Sequence, residues 1–179
     1  MSDIHRFCLI GPHGVGKSTI GRMLADRGFW HLSIGTLRRL ARKGMLPSDI
    51  PIRLLVTLRD ADPGRPLPDL VVAAVIELAK TRDRVVIDGL PSSPSHLALL
   101  DPSWRIISVT APDELRLDRL KTRAGQSARA WVAARASARD LQLRSVIEAA
   151  GARIERFDNS AGLDVCRDRA WRLGANRRQ

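Results

Sequence analysis

Cysteine is scarce in this chain. Cys8 and Cys166 are too few for a disulfide framework or a zinc-ligand pattern. Cys8 lies in the apolar run Phe7-Cys8-Leu9-Ile10 and reads as a small buried hydrophobe. No apolar run approaches the roughly 18 residues of a transmembrane helix. The opening MSDIHRFCLI lacks the charged stretch and long apolar stretch of a secretory signal, so the expected location is cytoplasmic. Aromatic residues make up only 4% of the chain. Trp30, Trp104, Trp131 and Trp171 fall in different segments and give no platform for stacking bases. No His/Cys cluster suggests a structural metal, and no Ser/His/Asp arrangement has a hydrolase context.

What is present is globular: 179 residues, 44% hydrophobic and 27% charged, enough for one domain with its own core. The net charge is +11, and 26 of the 30 basic residues are arginine. A basic surface attracts phosphates of any kind. The arginines are spread along the chain rather than gathered in an arm, and genomic base composition also produces such a skew. Nucleic acid is therefore a possible partner that the pattern does not favour. Short apolar runs at 6–10, 29–32, 84–87, 105–109 and 152–157 predict strands. Helical spacing at 17–28, 35–42, 47–60, 69–81, 113–123, 127–149 and 162–173 alternates with them. That order predicts an α/β fold with a mostly parallel sheet covered on both faces.

The segment Gly11-Pro12-His13-Gly14-Val15-Gly16-Lys17-Ser18-Thr19 fits G-x-x-x-x-G-K-[ST], with a strand before it and a helix after. The glycines let successive N–H groups face phosphate oxygens, and the helix adds the positive end of its dipole. Lys17 would reach the β- and γ-phosphates, and the Ser18 hydroxyl would ligate Mg²⁺. ATP and Mg²⁺ are the expected cofactors, held by Gly11, Gly14, Val15, Gly16, Lys17, Ser18 and Thr19. His13 occupies a variable position and is assigned no role. Val85-Val86-Ile87-Asp88-Gly89 puts a carboxylate at a strand end, where it would hold the metal through water.

Four segments together, GPHGVGKST, HLSIGTLRRL, VVIDGLP and APDELRLDRLKTR, resemble the adenylate kinase-like nucleoside monophosphate kinases; GRPLPDLVV is a weaker fit. The resemblance implies a three-layer P-loop kinase fold with a five-stranded parallel sheet. It implies one kinase domain over 1–179, with a helical acceptor-binding insert at about 33–75 and a short lid at about 124–135. Ser33 and Gly35 would belong to the acceptor region, Arg39 would hold the acceptor phosphate with Arg38 beside it, and Asp88 and Gly89 would face the acceptor. Arg119 would lie against adenine, and Arg123 would hold donor phosphates. Arginine forks suit such contacts better than lysine points.

The chain departs from that pattern. Where the family reads D-G-F-P-R, this sequence reads Asp88-Gly89-Leu90-Pro91-Ser92, without the arginine that clamps the acceptor phosphate. The glutamine that reads the acceptor base would fall near His96, and an expected aspartate is Thr36. The long lid is absent: Ala124-Gly125-Gln126 leads directly into a helical pattern, where Arg135 and Arg139, ahead of Arg129, would complete the phosphate contacts. In RIERFDNSAG, Asp158 and Asn159 make either an Asx turn or a ligand contact. The resemblance implies transfer of the γ-phosphoryl group of MgATP to a nucleoside monophosphate or similar nucleotide. Two alternatives stand: a small-metabolite kinase of the dephospho-coenzyme A or shikimate type, or a non-catalytic nucleotide-binding regulatory or nucleic-acid-associated protein.

Overall fold

Every strand among the described residues runs in the same direction, so both faces of the sheet need cover. The computed structural model describes residues 5–62, 64–127 and 133–175; the side chains of 123–127 and 133–139 lie outside that description. The strands are β1 (His5–Ile10), β2 (Trp30–Ser33), β3 (Arg84–Asp88), β4 (Trp104–Thr110) and β5 (Ile154–Asp158). They form a five-stranded sheet in the order β2-β3-β1-β4-β5, with parallel pairs throughout. The helices are α1 (Lys17–Ala25), α2 (Ile34–Arg42), α3 (Ile52–Asp60), α4 (Asp69–Lys80), α5 (Asp113–Ser127), α6 (Ala133–Ala150) and α7 (Leu163–Gly174). This is the α/β fold the alternation predicts. No helix among the described residues is long and apolar enough to cross a membrane.

Alternate residues of β1 serve the two faces. Phe7 and Leu9 join Ile20, Leu24, Val86, Ile107 and Ala170 beneath α1 and α7. Cys8 and Ile10 join Leu55, Val72, Ile76, Ile87 and Val146 beneath α3, α4 and α6. A strand buried on both faces carries a continuous apolar run, and this is why these strands were readable. Cys8 is fully buried, and burial pushes its thiol pKa up. The side chains of Arg105 and Glu155 form a two-pronged pair at 2.7 Å for each bond, fastening β4 to β5.

Several boundaries differ from expectation, and one short element was not expected. The helix expected from Pro47 starts at Ile52, because Pro51 disfavours helical backbone at Ile50 and itself stands at the N-cap. Asp49 instead accepts the Trp30 indole N–H at 2.8 Å. A 3-10 turn over Pro94–Leu99 was not foreseen. Helix α5 continues through Ala124-Gly125-Gln126 to Ser127, where a break was expected; a single helical glycine costs only about 1 kcal/mol. The described part of the following helix is Ala133–Ala150, and Ser127 belongs to α5.

Gly21, in the middle of α1, faces the His31 ring of β2, and a Cβ there would overlap that ring. Glycine inside a helix ordinarily costs about 0.5–1 kcal/mol against alanine. Here Gly21→Ala is expected to destabilise by about 1–3 kcal/mol through overpacking. In a His31→Ala background the same change should stabilise. Urea unfolding of the four proteins checks this, and a stabilising Gly21→Ala with His31 intact would refute the notch.

Candidate active site

The parallel register brings three strand ends together. Asp88 of β3 aligns with Leu9 of β1 on one side and with Ser33 of β2 on the other. The chain leaves β1 at Ile10 and turns through Gly11, Gly14 and Gly16, whose φ angles are 146°, 84° and 91°. Each is also crowded: a Cβ on Gly14 would lie 2.8 Å from the Arg116 carbonyl oxygen. The loop therefore requires glycine for both conformation and space. Gly16 is the N-cap of α1, so the loop ends on the positive end of a helix.

Lys17 lies back across the loop, its Nζ donating to the carbonyls of Gly11 at 2.7 Å and Pro12 at 2.9 Å. Asp88 is 5% exposed. Its Oδ2 accepts from the Ser18 hydroxyl and, at 3.2 Å, from the Ser33 hydroxyl. Ser33 stands at the N-cap of α2 but spends its hydroxyl on Asp88. His31 of β2 brings its Nε2 to 4.0 Å from the same carboxylate oxygen. Burial, only partly opposed by the Asp88 carboxylate and reinforced by Arg22, holds His31 below the usual histidine range. The carboxylate thus faces a neutral imidazole and two hydroxyls. A buried carboxylate beside a hydroxyl of the phosphate loop suits a divalent cation. No group of three His, Cys, Asp or Glu that could hold a metal occurs among the described residues. That donor set fits Mg²⁺, which commonly takes one or two protein oxygens and the rest from phosphates and water. Ser18 and Asp88 are the residues that would hold it.

A cleft of about 500 Å³ opens over this floor. Of the residues singled out in the sequence, Gly11, Gly14, Gly16, Lys17, Ser18, Thr19, Ser33, Gly35, Arg38, Arg39, Asp88, Gly89, Ser92 and Arg119 line it. Two do not. Val15 is fully buried under the loop. His96 is 1% exposed: it accepts the Ser92 N–H at Nδ1 (3.1 Å), and its Nε2 meets the Leu67 carbonyl at 2.9 Å. It is a brace behind the cleft rather than an acceptor contact. Arg123 of α5 and Arg135 and Arg139 of α6 have side chains outside the described residues, as does the core of the expected lid.

The arginines divide by task. Arg38 donates to the Ala61 carbonyl at 2.6 Å, and Arg39 to the Thr36 hydroxyl at 2.8 Å. Arg116 ties the loop to two helices, donating to the His13 carbonyl at 3.1 Å and pairing with Asp113 and Asp140. Arg119 donates to the Asn159 carbonyl at 3.1 Å. Sequence reasoning missed His31, Arg65, the Arg116 clip, Asp140 and Gln142. The one local signal was Gly21, a glycine where a helix has no evident need of one.

The chain matches the model of the AAA domain over residues 8–142. It belongs to that family. Adenylate kinase of Mycoplasmopsis pulmonis is 26% identical to this AAA domain protein over 126 residues, which cover 67% of this chain and 59% of that one. The match thus spans less than two thirds of that relative's length. Among solved structures, a gluconokinase from Sinorhizobium meliloti superposes with a TM-score of 0.60 at 18% identity, covering 97% of this chain and 93% of that one. A shikimate kinase from Acinetobacter baumannii in complex with shikimate gives 0.58 at 18% identity, covering 96% and 92%. At that identity the likeness is one of fold. The AAA domain here has the divergent P-loop kinase, nucleotide-binding architecture.

His96 generates a pH prediction. Burial first, against weaker opposing effects of the Leu67 carbonyl and Asp69, lowers its pKa from the ordinary 6.5. The folded state therefore binds this proton less well than the unfolded state. The contribution is present in full above about pH 6.5 and is lost as pH falls toward the lower folded value. Urea midpoints should fall between pH 7.5 and 5, and His96→Gln should flatten that slope. An unaltered slope in the variant would count against a neutral buried His96.

Proposed function

We propose that this protein is an ATP-dependent phosphotransferase that moves the γ-phosphoryl group of MgATP to a nucleoside monophosphate or similar nucleotide. The observation that carries the reading is a shared cavity. The phosphate loop, the Ser18–Asp88 pair and the cations Arg38, Arg39 and Arg65 all line one cleft. Phosphoryl transfer asks for positioning and positive charge more than covalent chemistry. In this reading the loop amides cradle the β-phosphate, and Lys17 exchanges the Gly11 and Pro12 carbonyls for phosphate oxygens. Ser18 and Asp88 would hold Mg²⁺, which would supply charge neutralisation when bound. Arg39 and Arg65 orient the acceptor. The segment at about 33–75 acts as the acceptor-binding insert and that at about 124–135 as a short lid, with Arg123, Arg135 and Arg139 completing the phosphate contacts. The cytoplasm, where ATP is abundant, is the compartment this activity fits.

Ser92 favours a second reading. It lines the cleft without a charge, and its backbone is engaged by His96. An acceptor with a smaller anionic group, such as a hydroxy acid, would need fewer arginines. The whole-length fold likeness to a gluconokinase and a shikimate kinase supports that alternative.

The test is phosphoryl transfer from labelled ATP with magnesium to nucleoside monophosphates, dephospho-coenzyme A and hydroxy acids. Transfer to a monophosphate supports the first reading and transfer to a hydroxy acid the second. ATP binding without any transfer would sink both and leave a nucleotide-binding regulator. Lys17→Ala should lower the rate by about 10²-fold or more, as when a charge-stabilising group is removed. Arg65→Ala should raise the acceptor KM about tenfold and leave the ATP KM unchanged.

A further inference from the structure

A phosphate loop points its N–H groups inward, so some of its carbonyls point outward into protein and must find donors there. Val15 presents this problem most sharply, because the residue is fully buried. Its carbonyl accepts a hydrogen bond at 2.6 Å from the side-chain amide of Asn159, a residue 144 positions away and 6% exposed. A carbonyl is acceptor-only, so it must face the NH₂ end of the amide, and the amide orientation is forced.

The rest of Asn159 is also committed. Its backbone N–H donates to the Thr110 carbonyl at 2.8 Å, at the end of β4. Its backbone carbonyl receives Nη2 of Arg119 at 3.1 Å. The amide lies so close to Gly16 that a Cβ there would overlap it. Nη1 of the same arginine is buried without a hydrogen-bond partner beside this group. One residue therefore touches the back of the loop, the cap of α1 and the arginine on the nucleotide side of the cleft.

We propose that Asn159 is a positioning residue for the nucleotide: its amide fixes the Val15 carbonyl so that the loop amides face the phosphates, and its backbone carbonyl aims Arg119. This rests on the reading of the cleft as an ATP site. It adds to that reading a residue in the lining of the same cleft that acts through the loop. The adjacent Asp158 makes the Asx turn the sequence suggested, accepting the Ser160 N–H at 3.1 Å, and this keeps Asn159 turned inward.

The test is calorimetric titration of the full chain with a non-hydrolysable ATP analogue, and separately with tripolyphosphate, which has no base. Asn159→Asp keeps the shape and the backbone bonds but removes the donor. Asn159→Ala removes the amide without adding a charge, and serves if the aspartate variant does not fold. Both should weaken tripolyphosphate about tenfold, and the ATP analogue by at least as much. A purely structural role would lower the unfolding midpoint of the ligand-free protein and leave both affinities within twofold of the parent, which would overturn the proposal. Loss of analogue affinity with tripolyphosphate unchanged would also overturn it, since the effect would then lie on the base side alone. Failure of the parent protein to bind either ligand would overturn the ATP-site reading itself, a result separable from variants that bind like the parent.

Discussion

A carboxylate buried at the end of a parallel sheet is costly unless its surroundings answer it. Asp88 sets that condition for the whole C-terminal edge of the sheet. Ser18 answers from the first turn of α1, Ser33 from the start of α2, and His31 from β2. Each answer restricts something else. Ser33 gives up its local capping bond, and α1 carries Gly21 so that His31 can sit beside the carboxylate. The two hydroxyls satisfy one carboxylate oxygen of Asp88, and the side chain stays 5% exposed at the floor of the cleft.

The arginine excess has a structural explanation beyond charge. Many guanidinium groups reach backbone carbonyls at the ends of elements. Arg38 and Arg42 meet at the Ala61 carbonyl, Arg153 holds those of Leu97 and Leu100, and Arg105 reaches Leu173. A planar fork with several donors can stitch a loop where a lysine would make a single point contact. Two tryptophans are also hydrogen-bonded: Trp30 donates to Asp49, and Trp171 donates to the Met23 carbonyl with Arg27 over its ring, while Trp104 is buried in the core. The positive charge is thus distributed among structural tasks, and that weakens the case for a dedicated nucleic-acid face.

The legible parts of the sequence were those with local causes. Strand positions followed from apolar runs forced by two-sided burial, and the phosphate loop from glycines that backbone geometry demands. The place of Asp88 at a strand end beside the loop was readable because it closes the apolar run of β3. What escaped were contacts between distant segments. Nothing near His96 indicates that it will bridge Ser92 and Leu67, and nothing near Arg116 indicates the His13 carbonyl. The start of α3 was misjudged for a local reason: helical spacing was followed back to residue 47, past the effect of Pro51 on Ile50.

The bond between residues 15 and 159 also orders events in time. During synthesis the loop, α1 and β1 leave the ribosome early, yet the donor for the Val15 carbonyl comes from the far end of the sheet. Local helices can form as they emerge, but this closure waits for β5 and the turn after it. Nascent chains shorter than that carry the whole phosphate-loop motif with its back unsupported. Nucleotide can therefore select for finished molecules: the ligand stabilises only the state it binds, and that state is complete only when the last strand is in place.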